Sequence, residues 1–108
     1  MIIAVAGPYS SSTAEGRKKN LKKMNDAAAQ LFNMGHVPVI GVNAALPVVS
    51  KLRGQKKYEG IMKISLAVVE KCDAILLLAA SPGANREKEL LEKQGKPVYL
   101  RIEDVPRA

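Results

Sequence analysis

Ala74-Ile75-Leu76-Leu77-Leu78-Ala79-Ala80, followed at once by Ser81-Pro82-Gly83-Ala84-Asn85-Arg86-Glu87, decides the fold of this chain. An uninterrupted apolar run suits a strand covered on both faces, which is the situation inside a parallel sheet. The run from Ser81 then opens a helix, so Glu87 stands near the carboxyl end of a strand. In open α/β sheets ligands collect at that edge, and the free N–H groups of a helix N-terminus favour an anion there.

Helical geometry turns Glu87 inward. At about 100° per residue, Leu90 lies near −60° and Leu91 near +40° from Glu87, whereas Glu89 and Glu92 lie near 200° and 140°. Glu87 therefore shares the apolar face of its helix. The plainer reading is a first-turn acid that complements the helix dipole.

The rest of the chain repeats the alternation of strand and helix. Ile2-Ile3-Ala4-Val5-Ala6 predicts the first strand, and Ser12-Thr13-Ala14-Glu15 has the form of a capping box opening a helix that runs to about Met34. Leu21, Met24, Ala28 and Leu31 mark its inner face, and Gly35 supplies the left-handed stop. Val37-Pro38-Val39-Ile40 predicts a second strand, placed at an edge because Pro38 has no N–H to donate. Gly41 to Tyr58 reads as a long connection with one helical turn at Ala44-Ala45-Leu46, expected to cover a pocket or to meet another subunit. Ile61, Ile64, Ala67 and Val68 stripe the next helix, which ends before Asp73. The last helix stops at Gly95, and residues 97–102 predict the final strand. These elements imply a single domain over residues 1–108. It is a three-layer, Rossmann- or flavodoxin-like sandwich with a small parallel sheet in the order 2-1-3-4, placing Gly7 and Ser81 at neighbouring strand ends.

With 108 residues, 47% of them hydrophobic and 25% charged, the chain can bury one core and no second. It has no apolar run of bilayer length, and Ile2 to Ala6 lacks the flanks of a signal peptide, so a cytoplasmic protein is expected. The lone cysteine, Cys72, is expected to be inert packing. His36 has no companions for a metal, and neither a phosphate-binding glycine loop nor a dinucleotide fingerprint is present. No cofactor and no metal are expected, and nucleoside triphosphates and NAD are disfavoured.

The net charge of +7 is clustered. Arg17, Lys18, Lys19, Lys22 and Lys23 read as a solvated helix face, whereas Lys51, Arg53, Lys56 and Lys57 could draw in a phosphorylated small molecule. Few aromatic residues could stack on bases: Tyr9, Phe32, Tyr58 and Tyr99 alone. That argues against single-stranded nucleic acid as a partner.

Four segments together resemble the nucleoside 2-deoxyribosyltransferase-like family, which includes deoxyribonucleoside 5′-monophosphate N-glycosidases. They are Ala6-Gly7-Pro8-Tyr9, Gly35-His36-Val37-Pro38, Cys72-Asp73-Ala74, and Ser81 through Gly95-Lys96-Pro97-Val98. The likeness spans most of the chain. It implies that Glu87 is the nucleophile, that Gly7 and Tyr9 line the sugar and base pocket, and that Ser81 and Gly83 contact a 5′-phosphate; Pro8, Ser65 and Asn85 are further candidates for contact with the substrate. Asn43 is a further candidate for contact with the base. Many members carry, where this chain has Ser65, an aspartate that assists the nucleophile or the sugar hydroxyl. Asp73 should lie at the opposite sheet edge, while Glu103 and Asp104 follow the final strand on the site's side. The resemblance further implies a homo-oligomer, with a dimer the simplest form, because family sites borrow residues from a neighbouring subunit. The expected function is cleavage of a nucleoside or nucleotide N-glycosidic bond, or 2-deoxyribosyl transfer. Two alternatives stand beside it: a non-catalytic nucleotide-binding module that lost part of the acid–base set, and a basic protein that contacts nucleic acid through Lys51 to Lys57.

Overall fold

Alternation within two central strands sets the layers. In the computed structural model, which describes residues 1–108 apart from the side chain of Gln55, β1 (Ile2–Ala6) turns Ile3 and Val5 to one side and Ala4 and Ala6 to the other. β3 (Ala74–Leu77) does the same, with Ala74 and Leu76 opposed to Ile75 and Leu77. One set meets Met24, Ala27 and Leu31 of α1 (Ala14–Asn33). The other meets Val69 of α3 (Gln55–Glu70) and Ala84 and Leu91 of α4 (Pro82–Lys93). Both faces of these strands are buried, as a parallel sheet requires.

β2 (Val37–Val39) pairs with β1, and β4 (Val98–Tyr99) pairs with β3, so the sheet is all-parallel in the order β2-β1-β3-β4. This is the three-layer, flavodoxin-like sandwich that the element order predicts, with Pro38 on an edge strand. Gly35 takes a φ of +93°, the left-handed stop expected after α1. The cap of that helix is shifted by one residue. Thr13, in extended conformation, accepts the Gly16 N–H at 3.0 Å and leaves Glu15 as a first-turn acid.

Three expectations are corrected. The segment after β2 is not a long connection, because residues 41–49 form a helix, α2 (Gly41–Val49), and α3 starts at Gln55, well before Ile61. Pro47 sits inside α2, and Ile40 provides no side-chain cap, so local signals for this helix are weak. Packing holds it instead: Ala45 and Val49 are buried, and a Cβ on Gly60 of α3 would come within 2.8 Å of Val49 Cγ1. The final strand is shorter than residues 97–102, since only Val98 and Tyr99 find partners, opposite Ile75 and Leu76. The chain then bends into a 3-10 turn (Ile102–Asp104), with Ile102 and Val105 packed on the α1 side. β3 likewise stops at Leu77, and Ala79 and Ala80 are exposed. No described helix is long and apolar enough to cross a membrane.

Candidate functional site

β1 and β3 are neighbours that end side by side, with the Leu78 N–H donating to Ala6 O at 2.8 Å. The chain leaves β1 through Gly7-Pro8-Tyr9 and leaves β3 toward Ser81, so the two exits frame a cavity of about 550 Å³ above the carboxyl ends of the strands. Gly7, Pro8, Tyr9, Ser65, Ser81, Gly83 and Glu87, seven of the residues singled out from sequence, line it together.

Glu87 is 6% exposed and belongs to the buried face of α4 with Ala84 and Leu91, whereas Glu89 and Glu92 are exposed. It lies beyond the first turn of the helix and inside the protein, so the reading as an exposed acid complementing the dipole does not hold. Burial pushes its carboxyl up from the ordinary 4.5 to about 7, with no neighbouring charge acting against that rise. Its Oε1 approaches the start of α2, 3.1 Å from where a Cβ on Gly41 would stand. Such a Cβ would also lie 2.9 Å from Ser65 Cα, so only glycine fits between α3 and α4 here.

Ser81 caps α4. Its Oγ accepts the Ala84 N–H at 3.1 Å, and Pro82 has no N–H, so Gly83 is the first-turn residue whose N–H is neither missing nor capped. An anion at this helix start therefore meets a smaller backbone cradle than a bare N-terminus would offer. Gly83 also admits Met62, whose Sδ is 3.4 Å from a Cβ placed there.

The loop carrying Tyr9 is tied to α1 from two positions. Asn20 Nδ2 donates to Tyr9 O at 3.0 Å, and Arg17 Nη1 donates to Ser11 O at 2.8 Å. Arg17 lines the cavity, which separates it from its solvated neighbours Lys18, Lys19, Lys22 and Lys23. Sequence reading missed this role, and it missed Tyr58, Ile61 and Met62, which also face the cavity. With Ser65 they recur at i, i+3, i+4 and i+7 on α3, a signal that was available in the spacing. Lys51, Arg53, Lys56 and Lys57 are exposed and do not line the cavity.

Asn43 and Asn85 are not among the cavity-lining residues. Because α2 is a helix, Asn43 turns toward α1 and donates to Asn25 Oδ1 at 2.8 Å. Asn85 lies about 160° around α4 from Glu87, so it points elsewhere. Glu103 and Asp104 are exposed on the 3-10 turn and do not line the cavity, and Asp73 accepts the Ile2 N–H at 2.8 Å at the opposite edge of the sheet. Cys72 is buried, and burial pushes its thiol up, away from the reactive thiolate. Among the described residues no three His, Cys, Asp or Glu side chains gather as metal ligands would.

Fold and cavity together define a flavodoxin-like α/β protein with a buried acid at the carboxyl edge of its sheet. Residues 1–100 match the family described as Domain of unknown function (DUF4406), and the chain belongs to that family. Comparison with curated proteins found no match.

Proposed function

We propose that this chain cleaves the N-glycosidic bond of a nucleoside or nucleoside 5′-monophosphate, by hydrolysis or by 2-deoxyribosyl transfer, with Glu87 as nucleophile. The observation that carries this reading is the buried Glu87 carboxyl, free of any compensating cation, at the inner wall of the cavity. The motif resemblance, which puts the family nucleophile at the same residue, supports it. A carboxylate oxygen attacks the anomeric carbon, the C1–N bond breaks through an oxocarbenium-like transition state, and the bonding pair leaves with the base. No second acid lines the cavity among the described residues, so solvent protonates the departing base. Water, or another base, then attacks C1, breaks the ester bond and returns Glu87 to its carboxylate. Arg17, the Ser81 hydroxyl and the Gly83 N–H hold the 5′-phosphate.

A second reading, a nucleotide-binding module without chemistry, is favoured by one observation: Glu87 is the sole acid among the lining residues, and Ser65 stands where the resemblance implies an aspartate. A panel of nucleosides and their 5′-monophosphates separates the two when free base and calorimetric affinity are both measured. Base release, with monophosphates bound more tightly than nucleosides, is the expected result. Tight binding without release replaces the enzyme by the binding module, and neither binding nor release ends both. The setting we propose is the cytoplasm, supported by a single free cysteine. A homo-oligomer is supported by the resemblance, in whose family sites borrow residues from a neighbouring subunit; a strict monomer in sedimentation would contradict it.

A further inference from the structure

Met62 is the methionine that lines this cavity. Its side chain is half-buried on the α3 wall, and Sδ and Cε lie 3.4 and 3.9 Å from the place a Cβ on Gly83 would take, so the sulfur rests against the start of α4. The other methionines stand elsewhere. Met24 is 2% exposed in the core, Met34 packs against that core, and Met1 lies at the opposite edge of the sheet beside His36. A methionine that only fills a gap in a core is enclosed by apolar groups. Met62 instead borders open space and a helix start at which Ser81 caps Ala84 and leaves the Gly83 N–H open to an acceptor.

We infer that Met62 is a reversible oxidation site whose sulfoxide closes this cavity to phosphate-bearing ligands. The inference rests on the reading of the cavity as a nucleotide site, and not on the chemistry proposed for Glu87. Peroxide is the oxidant. Its O–O bond breaks as an S–O bond forms, the thioether sulfur is oxidised to the sulfoxide, and the second oxygen leaves with both protons as water. A thioether is a weak acceptor and leaves the Gly83 N–H to a ligand. The sulfoxide is polar, and its oxygen is carried by a sulfur already held against Gly83. There it accepts the N–H that the 5′-phosphate would otherwise use and takes up part of the space that the phosphate needs. Methionine sulfoxide reductases remove the oxygen and return the thioether, so the closure is reversible.

The test is titration of the intact protein with hydrogen peroxide, each methionine being followed by peptide mass spectrometry. Affinities for adenosine 5′-monophosphate and adenosine are measured by calorimetry before and after. Met62 should oxidise ahead of Met24 and Met34, and the monophosphate should then bind at least about tenfold more weakly. Adenosine should change by no more than about twofold. Methionine sulfoxide reductases should restore the lost affinity, and Met62→Leu, a substitution of similar volume, should keep its affinity through the same treatment. Resistance of Met62 to peroxide overturns the inference, as does an oxidised protein that binds the monophosphate like the parent. So does an equal loss for adenosine, an equal loss in Met62→Leu, or a parent that binds no monophosphate. Failure of the glycosidase reading alone shows separately, as nucleotide binding without release of free base.

Discussion

The two edges of the sheet treat their buried polar side chains in opposite ways. At the edge where the strands begin, His36 is 3% exposed and both of its ring nitrogens are engaged. Nδ1 accepts from the Met1 amino group at 3.1 Å, and Nε2–H donates to Pro106 O, so one imidazole ties the start of β1 and the C-terminal segment to β2. Asp73 adds a bond to the Ile2 N–H at the same edge. At the edge where the strands end, Glu87 and Ser65 are equally buried, yet burial alone governs Glu87, and the Ser65 hydroxyl has no partner. Satisfied polar groups rigidify a fold, whereas unsatisfied ones carry a cost that a ligand can relieve. The contrast separates an edge whose buried polar groups are paired from one where they are left without partners.

Substitution at the carboxyl edge should have the largest effect on the proposed function. Glu87→Gln keeps the shape of the side chain and removes its charge, so base release should fall by at least about a thousandfold with nucleotide binding largely kept. Glu89→Gln, on the exposed face of the same helix, should change little. Equal activity in both variants would erase the functional half of the contrast.

Stability should show the same difference through pH. The folded-state pKa of Glu87 is raised above its unfolded value, so the folded protein holds the proton more tightly. Its contribution is fully present below about pH 4.5 and is lost as pH rises through about 7. The unfolding free energy from urea titration should thus fall between pH 4.5 and 8, by up to about 3 kcal/mol in the parent, with that component absent in Glu87→Gln. A parent profile that matches the variant would mean that Glu87 is compensated after all.

At the opposite edge, His36→Ala should cost about 2 kcal/mol in chemical unfolding, since it strips the partners of two bonds at once. Nucleotide affinity in the folded variant should stay within about twofold of the parent, and a larger change would mean that the edges are coupled. The smallest effect is expected at Ser81→Ala, where loss of the α4 cap should cost about 1 kcal/mol and weaken monophosphates more than nucleosides. Equal weakening of the two would confine Ser81 to its capping role.

What could be read from the sequence followed strong local periodicity. The apolar run from Ala74, the edge position of Pro38 and the inward turn of Glu87 each rest on a pattern of a few residues, and each is found in the structure. α2 was hidden because Pro47 and an uncapped start oppose a helix that only packing against Gly60 and Ser65 stabilises. That omission misplaced Asn43, whose direction depends on α2. Arg17 was hidden differently, since a run of basic residues looks like a solvated face until the fold shows which member turns inward. Asn85 does not line the cavity, because the helical angle that brings Glu87 inward also turns Asn85 away.

The central claim is that the carboxyl edge holds an acid buried without compensation, and its most direct test is a carbon-13 NMR titration of the Glu87 side-chain carboxyl in the ligand-free protein, assigned by comparison with Glu87→Gln. The account predicts a midpoint of about 7. A midpoint at the ordinary 4.5 would mean that solvent or a partner already satisfies Glu87, and would contradict it.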